Sequence, residues 1–324
     1  MTILLLIQAL SLGETVDSLA RAQQFSGVVL IAQQGAPVVE RAYGMADREA
    51  PRPNHISTAF NLGSINKLFT SIAIQQLTAA GKLSVDSTLG TYWSDYPNPA
   101  VRRVTIRQLL QHRSGIGGNI FDPPAGGTRA DLRKLADFLP LFVNETPVFE
   151  PGARQQYSNA GYLVLGLLIE RLSGESYYDY VRRHIYEPAG MTRTAHWAVD
   201  SLPPNTAIGY TAGGPMVGPA GGRAGGQAGR AVAANTDLLP GRGSSAGGGY
   251  STAPDLLRFL NALRAGKIVG GPQPGMVGIA GGAPGINAMM EGDVEGYDVI
   301  VMANLDPPAA MQMGRAIKTR IGGR

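Results

Sequence analysis

Ser64 and Lys67 form the most chemically suggestive pair in the sequence, in the segment Gly63-Ser64-Ile65-Asn66-Lys67. The apolar pattern from Ser64 to Ala80 predicts a helix, so a spacing of three residues places the hydroxyl and the amine on one face. The Ser then lies among the free N–H groups of a helix start, which favour a nearby oxyanion. The Lys can act as a base if burial lowers its pKa from about 10.4. Taken alone, the motif also describes a helix-capping Ser followed by a solvated Lys.

A second motif, Gln156-Tyr157-Ser158-Asn159, precedes a helix predicted over Ala160 to Leu172. The Tyr157 phenol could carry a proton between a nucleophile and a leaving group, and the Asn159 amide could bind a substrate carbonyl or the Lys. Taken alone, the segment is better described as a half-buried Tyr followed by an Asn or Ser helix cap. Its combination with Ser64 and Lys67 favours a catalytic interpretation.

Six segments between residues 25 and 191 carry a family resemblance. They are Phe25-Ser-Gly-Val-Val-Leu, Ala42-Tyr-Gly-Met-Ala-Asp, Phe60-Asn-Leu-Gly-Ser-Ile-Asn-Lys, Leu109-Leu-Gln-His-Arg-Ser-Gly115, Tyr157-Ser-Asn-Ala-Gly-Tyr162 and Pro188-Ala-Gly-Met191. Together they resemble serine hydrolases of the β-lactamase and penicillin-binding-protein superfamily, and most of all class C β-lactamase-related family VIII carboxylesterases. The resemblance implies that Ser64 is acylated, that Lys67 activates it, that Tyr157 carries the proton and that Asn159 is a polar neighbour.

The third motif of that superfamily departs from the usual pattern. Members carry Lys-Thr-Gly, His-x-Gly or Trp-Gly-Gly on a strand, whereas this chain has Gly278-Ile279-Ala280-Gly281-Gly282. Ile279 cannot bind the carboxylate of a β-lactam, so the sequence favours esters over lactams. A lactamase or peptidase would need an anion site from elsewhere, such as Arg154, Arg223 or Arg230. The Gly281-Gly282 backbone keeps its N–H groups, and we expect the N–H groups of Gly282 and Ser64 to form an oxyanion hole.

Several other motifs are expected to be structural. Gly243-Ser-Ser-Ala-Gly247 matches G-x-S-x-G, but it lacks the preceding strand and the following helix of a nucleophile elbow. The histidines show neither metal-ligand spacing nor a partner carboxylate pattern, so we expect surface or capping roles for His55, His112, His184 and His196. The sequence therefore predicts neither a metal site nor a cofactor.

The elements around these motifs predict an α+β protein. Strand patterns at both ends, including a hairpin from Ser26 to Tyr43 and a pair from Ile286 to Ala303, enclose a mainly helical block. We expect residues 1–60 and 250–324 to form one sub-domain and residues 61–249 to form a helical one, with a Gly-rich loop at 212–249 that could serve as a lid. Further helices are predicted over Thr105–His112, Arg129–Asn144, Ala253–Arg264 and Ala309–Ile321. The resemblance implies the β-lactamase/transpeptidase-like fold, an antiparallel sheet flanked by terminal helices beside a helical lobe.

Composition excludes several classes of protein. The chain has 324 residues, 44% of them hydrophobic and 16% charged, which describes an ordinary globular protein. A net charge of +4 without a Lys/Arg run gives little support for nucleic-acid binding. No stretch has the roughly 20 apolar residues of a membrane span, and the absence of Cys excludes disulfides and thiolate chemistry.

The apolar start of the chain resembles the core of a signal peptide, but it lacks a preceding Lys or Arg and is interrupted by Gln8. We therefore expect a buried first helix and favour a cytoplasmic over a periplasmic or secreted location. The predicted function is hydrolysis of small-molecule esters through Ser64. A β-lactamase, a D-alanyl carboxypeptidase or aminopeptidase, or a catalytically silent binding module of the same fold are the alternatives, and the sequence leaves the oligomeric state open.

Overall fold

A computed structural model describes residues 2–122, 126–213 and 232–322 of the protein. The strands are β1 (Gly27–Gln33), β2 (Ala36–Tyr43), β3 (Met45–Asp47), β4 (Arg52–Pro53), β5 (Phe60–Asn61), β6 (Tyr210–Thr211), β7 (Ala233–Ala234), β8 (Tyr250–Ser251), β9 (Gly278–Ala283), β10 (Ile286–Val294) and β11 (Tyr297–Ala303). The helices are α1 (Thr2–Ala22), α2 (Asn66–Ala79), α3 (Leu89–Tyr92), α4 (Pro99–Arg102), α5 (Ile106–Leu110), α6 (Leu135–Phe138), α7 (Asn159–Ser173), α8 (Tyr177–Val181), α9 (Glu187–Ala189), α10 (Ala253–Arg264) and α11 (Ala309–Gly322).

Strands from both ends of the chain form a single five-stranded sheet in the order β2-β1-β11-β10-β9. Every neighbouring pair in it is antiparallel. The hairpin predicted in the first part of the chain and the strand pair predicted near its end are both confirmed. Strand β9 lies at one edge of the sheet, where it is free to approach the helical part of the protein.

The sheet buries both of its faces. Val28 and Leu30 of β1 belong to the larger apolar cluster, which includes the central helices. Val29 and Ile31 point to the opposite face because side chains alternate along a strand, and there they join α1 and α11 in a second cluster. The expected α+β class, with terminal helices on the sheet and a helical lobe beside it, is confirmed.

The long central helices begin and end where the sequence indicates. Helix α2 is followed by Gly81 and helix α7 by Gly174, and both glycines adopt left-handed backbone conformations, with φ of +69° and +76°. A side chain with a Cβ would be strained there, which explains why these residues terminate the helices. Helices α10 and α11 likewise confirm the predictions made for them.

The helix predicted over Arg129–Asn144 is wrong. The segment contains the 3₁₀ turns Arg129–Asp131 and Leu139–Leu141 on either side of the short helix α6. The Asp137 carboxylate accepts hydrogen bonds from the backbone N–H groups of Arg133 and Lys134, at 2.9 and 2.6 Å, and so starts a new turn. Pro140 has no backbone N–H and cannot donate a hydrogen bond, which limits how far helix α6 extends.

The Gly-rich stretch 212–249 is described only at 212–213 and 232–249, so the idea of a lid falls mostly outside the described residues. Its last part packs against the start of α2, where Gly249 O accepts from Leu62 N at 2.8 Å and Gly63 O accepts from Gly248 N at 3.3 Å. Within the described ranges, no helix combines the length and the apolar character needed to cross a membrane.

Candidate active site

Ser64 lies in the 3₁₀ turn Gly63–Ile65 that leads directly into α2. Its Oγ accepts a hydrogen bond of 2.6 Å from Tyr157 Oη and one of 3.2 Å from Lys67 Nζ. The Lys contact follows from the helical spacing of the two residues, whereas the Tyr comes from a segment 93 residues further along the chain. The structure thus brings together the three side chains that the two sequence motifs contain.

Lys67 is buried, with 4% of its surface exposed. Its Nζ also donates to Asn159 Oδ1 at 2.8 Å and to the backbone carbonyl of Ala246. Burial lowers the pKa of the Lys67 ammonium to about 7, and no carboxylate among the described residues forms an ion pair with it. A substantial fraction of the amine is therefore neutral near pH 7 and able to accept a proton.

Tyr157 occupies the turn before α7, which begins after the N-cap residue Ser158, whose Oγ accepts from Gly161 N at 2.9 Å. The phenol ring lies 4.8 Å from Lys67 Nζ and is 36% exposed. Burial raises the pKa of Tyr157, and the hydrogen bond to Ser64 opposes that shift. The phenol is consequently protonated at neutral pH and can donate to an oxygen at this point.

Glycines allow strand β9 to approach the turn that carries Ser64. A Cβ on Gly281 would lie 2.0 Å from Leu62 O and 2.7 Å from Ser64 N, closer than any side chain tolerates. Gly63 has a φ of +51°, and a Cβ there would lie 2.9 Å from Gly282 N. The backbone N–H groups of Ser64 and Gly282 therefore belong to two segments in direct contact.

A cleft with about 720 Å³ of empty space, part of it open to solvent, contains Ser64, Asn159 and Gly282 in its wall. Most of its other described wall side chains are apolar, and they include Ile120, Phe121, Leu132, Phe138, Val199, Leu239 and Ile286. Lys67 lies buried behind Ser64. A hydroxyl on the wall of a mainly apolar cleft thus accepts hydrogen bonds from a buried amine and from a phenol.

Ile279 is not part of the cleft wall. It is half-buried and packs against the larger apolar cluster. Gly281 is buried against the Ser64 turn, as described above, and likewise lies behind the wall. Of the arginines considered as alternative anion sites, Arg154 lies over the Phe149 ring at 4.7 Å, and Arg223 and Arg230 lie outside the described residues.

Two functional features were missed by the sequence reasoning. The first is the carbonyl of Ala246, a backbone group in the stretch interpreted as a loop, which no sequence signal could have revealed. The second is His112, for which the sequence predicted only a surface or capping role. Its ring stacks on Tyr157 at 4.5 Å, its Nδ1 accepts from Ser158 N at 3.1 Å, and its backbone carbonyl accepts from Gln156 N at 2.8 Å. His112 therefore contacts the Tyr157 ring and forms hydrogen bonds with the residues that precede and follow Tyr157 in the chain.

The surface or capping role expected for the histidines is wrong for His196. It is 3% exposed, and burial lowers its pKa to about 3, so that it is neutral.

The expected structural role of the G-x-S-x-G segment agrees with its geometry, because Ser245 is fully buried and its Oγ donates to Tyr162 O at 2.9 Å.

Comparisons with known proteins find relatives of this chain. The family model described as Beta-lactamase matches residues 12–310. Esterase EstB of Burkholderia gladioli is 32% identical over 279 residues, which cover 79% of this chain and 70% of EstB. The putative penicillin-binding protein PbpX of Bacillus subtilis is 29% identical over 264 residues, or 81% of this chain, and the match spans only 61% of the length of PbpX.

Among solved structures, a penicillin-binding protein from Bacillus halodurans superimposes with a TM-score of 0.78 at 30% identity, covering 95% of this chain and 98% of that protein. The similarity therefore extends through both the sheet and the helical lobe.

Proposed function

Because the chain belongs to the β-lactamase family of serine hydrolases, we propose that it hydrolyses small carboxylic esters through an acyl-enzyme on Ser64, without a cofactor. The observation that carries this proposal is the hydrogen-bonded set of Tyr157 Oη, Ser64 Oγ and the buried Lys67 amine. It supplies a nucleophile, a base and a proton donor within reach of one another.

In the acylation step, neutral Lys67 takes the proton of Ser64 while Oγ forms a bond to the carbonyl carbon of the ester. The negative charge that develops on the carbonyl oxygen is stabilised by the N–H groups of Ser64 and Gly282. Asn159 keeps Lys67 oriented through the 2.8 Å hydrogen bond.

Collapse of the tetrahedral intermediate breaks the bond between the carbonyl carbon and the leaving oxygen. Tyr157 donates its proton to that oxygen, so an alcohol leaves, and the Lys67 ammonium restores the phenol proton. Water then attacks the acyl-enzyme with the same groups acting in reverse. The net products are one carboxylic acid and one alcohol, and Ser64, Lys67 and Tyr157 return to their starting states.

Two observations support esters over lactams and peptides. The cleft is mainly apolar, and EstB, an esterase, is 32% identical to this chain over 279 residues. A β-lactamase, a D-alanyl carboxypeptidase or an aminopeptidase is the second candidate, and the similarity to PbpX favours it. Retention of Ser64, Lys67 and Tyr157 in contact argues against a silent binding module, which would not require them.

The test of this proposal is a comparison of kcat/KM for three substrates with the purified protein: p-nitrophenyl butyrate, a chromogenic cephalosporin and D-alanine p-nitroanilide. We expect the ester to be turned over with a kcat/KM at least about 100-fold above the other two. A higher value for the cephalosporin or the anilide would replace the esterase assignment with the corresponding alternative. Turnover of none of the three would favour the binding module.

His112 is expected to act as a positioning residue for Tyr157. In His112→Ala, loss of the stacked ring and of the Nδ1 acceptor should lower kcat for p-nitrophenyl butyrate about 10-fold with little change in KM, because a displaced phenol slows the chemistry more than binding. His112→Asn should retain more activity, since Asn supplies an acceptor and tolerates the φ of +56° at this position. The exposed His55, changed to Ala, is the matched control, and an unchanged kcat in His112→Ala would contradict the role.

A further inference from the structure

The described wall of the cleft carries positive charge and no negative charge. Among the described residues of its wall, Arg129 is charged, and none carries a carboxylate. A ligand with an ammonium group would meet a like charge and no anionic partner, whereas a ligand with a carboxylate would meet a complementary charge. An anionic group is therefore better matched to this cleft than a cationic one.

The side chain of Arg129 is held in place at one edge of its guanidinium. Nε donates to Phe121 O at 2.6 Å, and the backbone carbonyl accepts from Gly241 N at 2.8 Å. Gly241 lies a few residues before Ala246, whose carbonyl accepts a hydrogen bond from Lys67. One short segment, from Gly241 to Ala246, therefore contacts both Arg129 and Lys67. No described contact occupies Nη1 or Nη2, which are suited to bind both oxygens of a carboxylate.

The other arginines of this region have their own partners. Arg133 forms an ion pair with Asp200, and the Arg242 guanidinium lies 3.7 Å from the centre of the Tyr178 ring while its Nε donates to a backbone carbonyl at 2.7 Å. Within the part of the chain that the structure describes, no acidic side chain pairs with Arg129. Its charge is available to a ligand in the cleft.

We propose that Arg129 is a specificity-determining residue that binds a carboxylate on the ester substrate, remote from the bond that is cleaved. The apolar wall side chains, such as Leu132 and Val199, contact the carbon chain between the ester and that carboxylate. This inference rests on the proposed ester hydrolysis at Ser64 and specifies its substrate class as monoesters of dicarboxylic acids or esters of carboxylate-bearing alcohols.

Matched pairs of esters test this specificity in a pH-stat. Monomethyl adipate is compared with methyl hexanoate for a carboxylate in the acyl part, and 4-acetoxybenzoate with phenyl acetate for one in the alcohol part. The wild type should have the lower KM for the charged member of at least one pair. Arg129→Gln should raise that KM about 10-fold, because a charge-assisted hydrogen bond is lost, and change the KM of the neutral member less than about twofold. Arg154→Gln, an exposed arginine outside the cleft wall, is the matched control.

Calorimetric titration of monomethyl adipate and of 4-acetoxybenzoate into Ser64→Ala tests the binding site without turnover. Binding that weakens about 10-fold in Ser64→Ala/Arg129→Gln supports the inference even if the wild type cleaves no ester, an outcome that would refute only the proposed function. Equal KM values for charged and neutral esters in wild type, or equal affinity in the presence and absence of Arg129, would overturn the inference and leave the proposed esterase activity standing. An effect of Arg154→Gln equal to that of Arg129→Gln would likewise overturn it.

Discussion

Replacement of Ser64 with alanine should lower kcat for p-nitrophenyl butyrate by about 10⁴-fold or more, because no other described hydroxyl receives hydrogen bonds from both Lys67 and Tyr157. The residual rate should come from substrate binding and the oxyanion hole alone. Rapid-quench mass spectrometry of the wild type during turnover should detect one butyryl group on the peptide that contains Ser64. The variant should show no such adduct.

Ser245→Ala is the control for the competing G-x-S-x-G motif. The buried Ser245 hydroxyl donates to Tyr162 O, a carbonyl inside helix α7, so its removal should lower the free energy of unfolding by only about 0.5–1.5 kcal/mol, the net contribution of one hydrogen bond. The variant should still form the acyl-enzyme. If Ser245→Ala lost the adduct and Ser64→Ala kept it, the assignment of the nucleophile would be wrong.

Lys67→Met should reduce kcat/KM for the same ester by about 10³-fold, since the base that accepts the Ser64 proton is removed while an apolar chain of similar length fills the space. Urea unfolding should show that the variant is folded. Its stability should be close to that of the wild type, because Met does not pay the cost of burying an amine. Lys82→Met, at an exposed lysine beyond the end of α2, is the matched control and should retain wild-type activity.

The pH profile gives an independent measure of the same residue. Below a pH of about 7 Lys67 is mainly protonated and cannot accept the Ser64 proton, and above it the neutral amine predominates. The kcat/KM of the wild type should therefore rise about 10-fold per pH unit below this pKa and level off above it. Tyr157 should cause no fall at mildly alkaline pH, because burial raises its pKa. The rising limb should be absent in Lys67→Met, and its persistence there would assign the titration to another group.

Elements with a local signal were predicted well from the sequence. They include the helices α2 and α7 and the strands at both ends of the chain, which depend on short-range periodicity. The helix predicted over Arg129–Asn144 was wrong because the apolar residues of this segment fit a helical period. The hydrogen bonds that the Asp137 carboxylate accepts from backbone N–H groups are not visible in that period.

Long-range features required the tertiary structure. Position in the chain does not reveal that Ala246 and His112 meet the site, because both contacts join segments that are distant in sequence, and the Ala246 contact is made by a backbone atom. The orientation of Ile279 depends on which face of β9 meets the larger apolar cluster. Whether Arg129 has an acidic partner depends on which carboxylates already form ion pairs with other arginines, as Asp200 does with Arg133.

The sequence by itself determined the residue types of the site and the spacing of Ser64 and Lys67, because three residues along a helix are neighbours whatever surrounds them. Only the tertiary structure decided that Tyr157 reaches Ser64 and that Lys67 is buried enough to lose its proton near pH 7. The physical reason is that a pKa depends on solvation and neighbouring charges, which are set by packing between segments and are absent from the local chain.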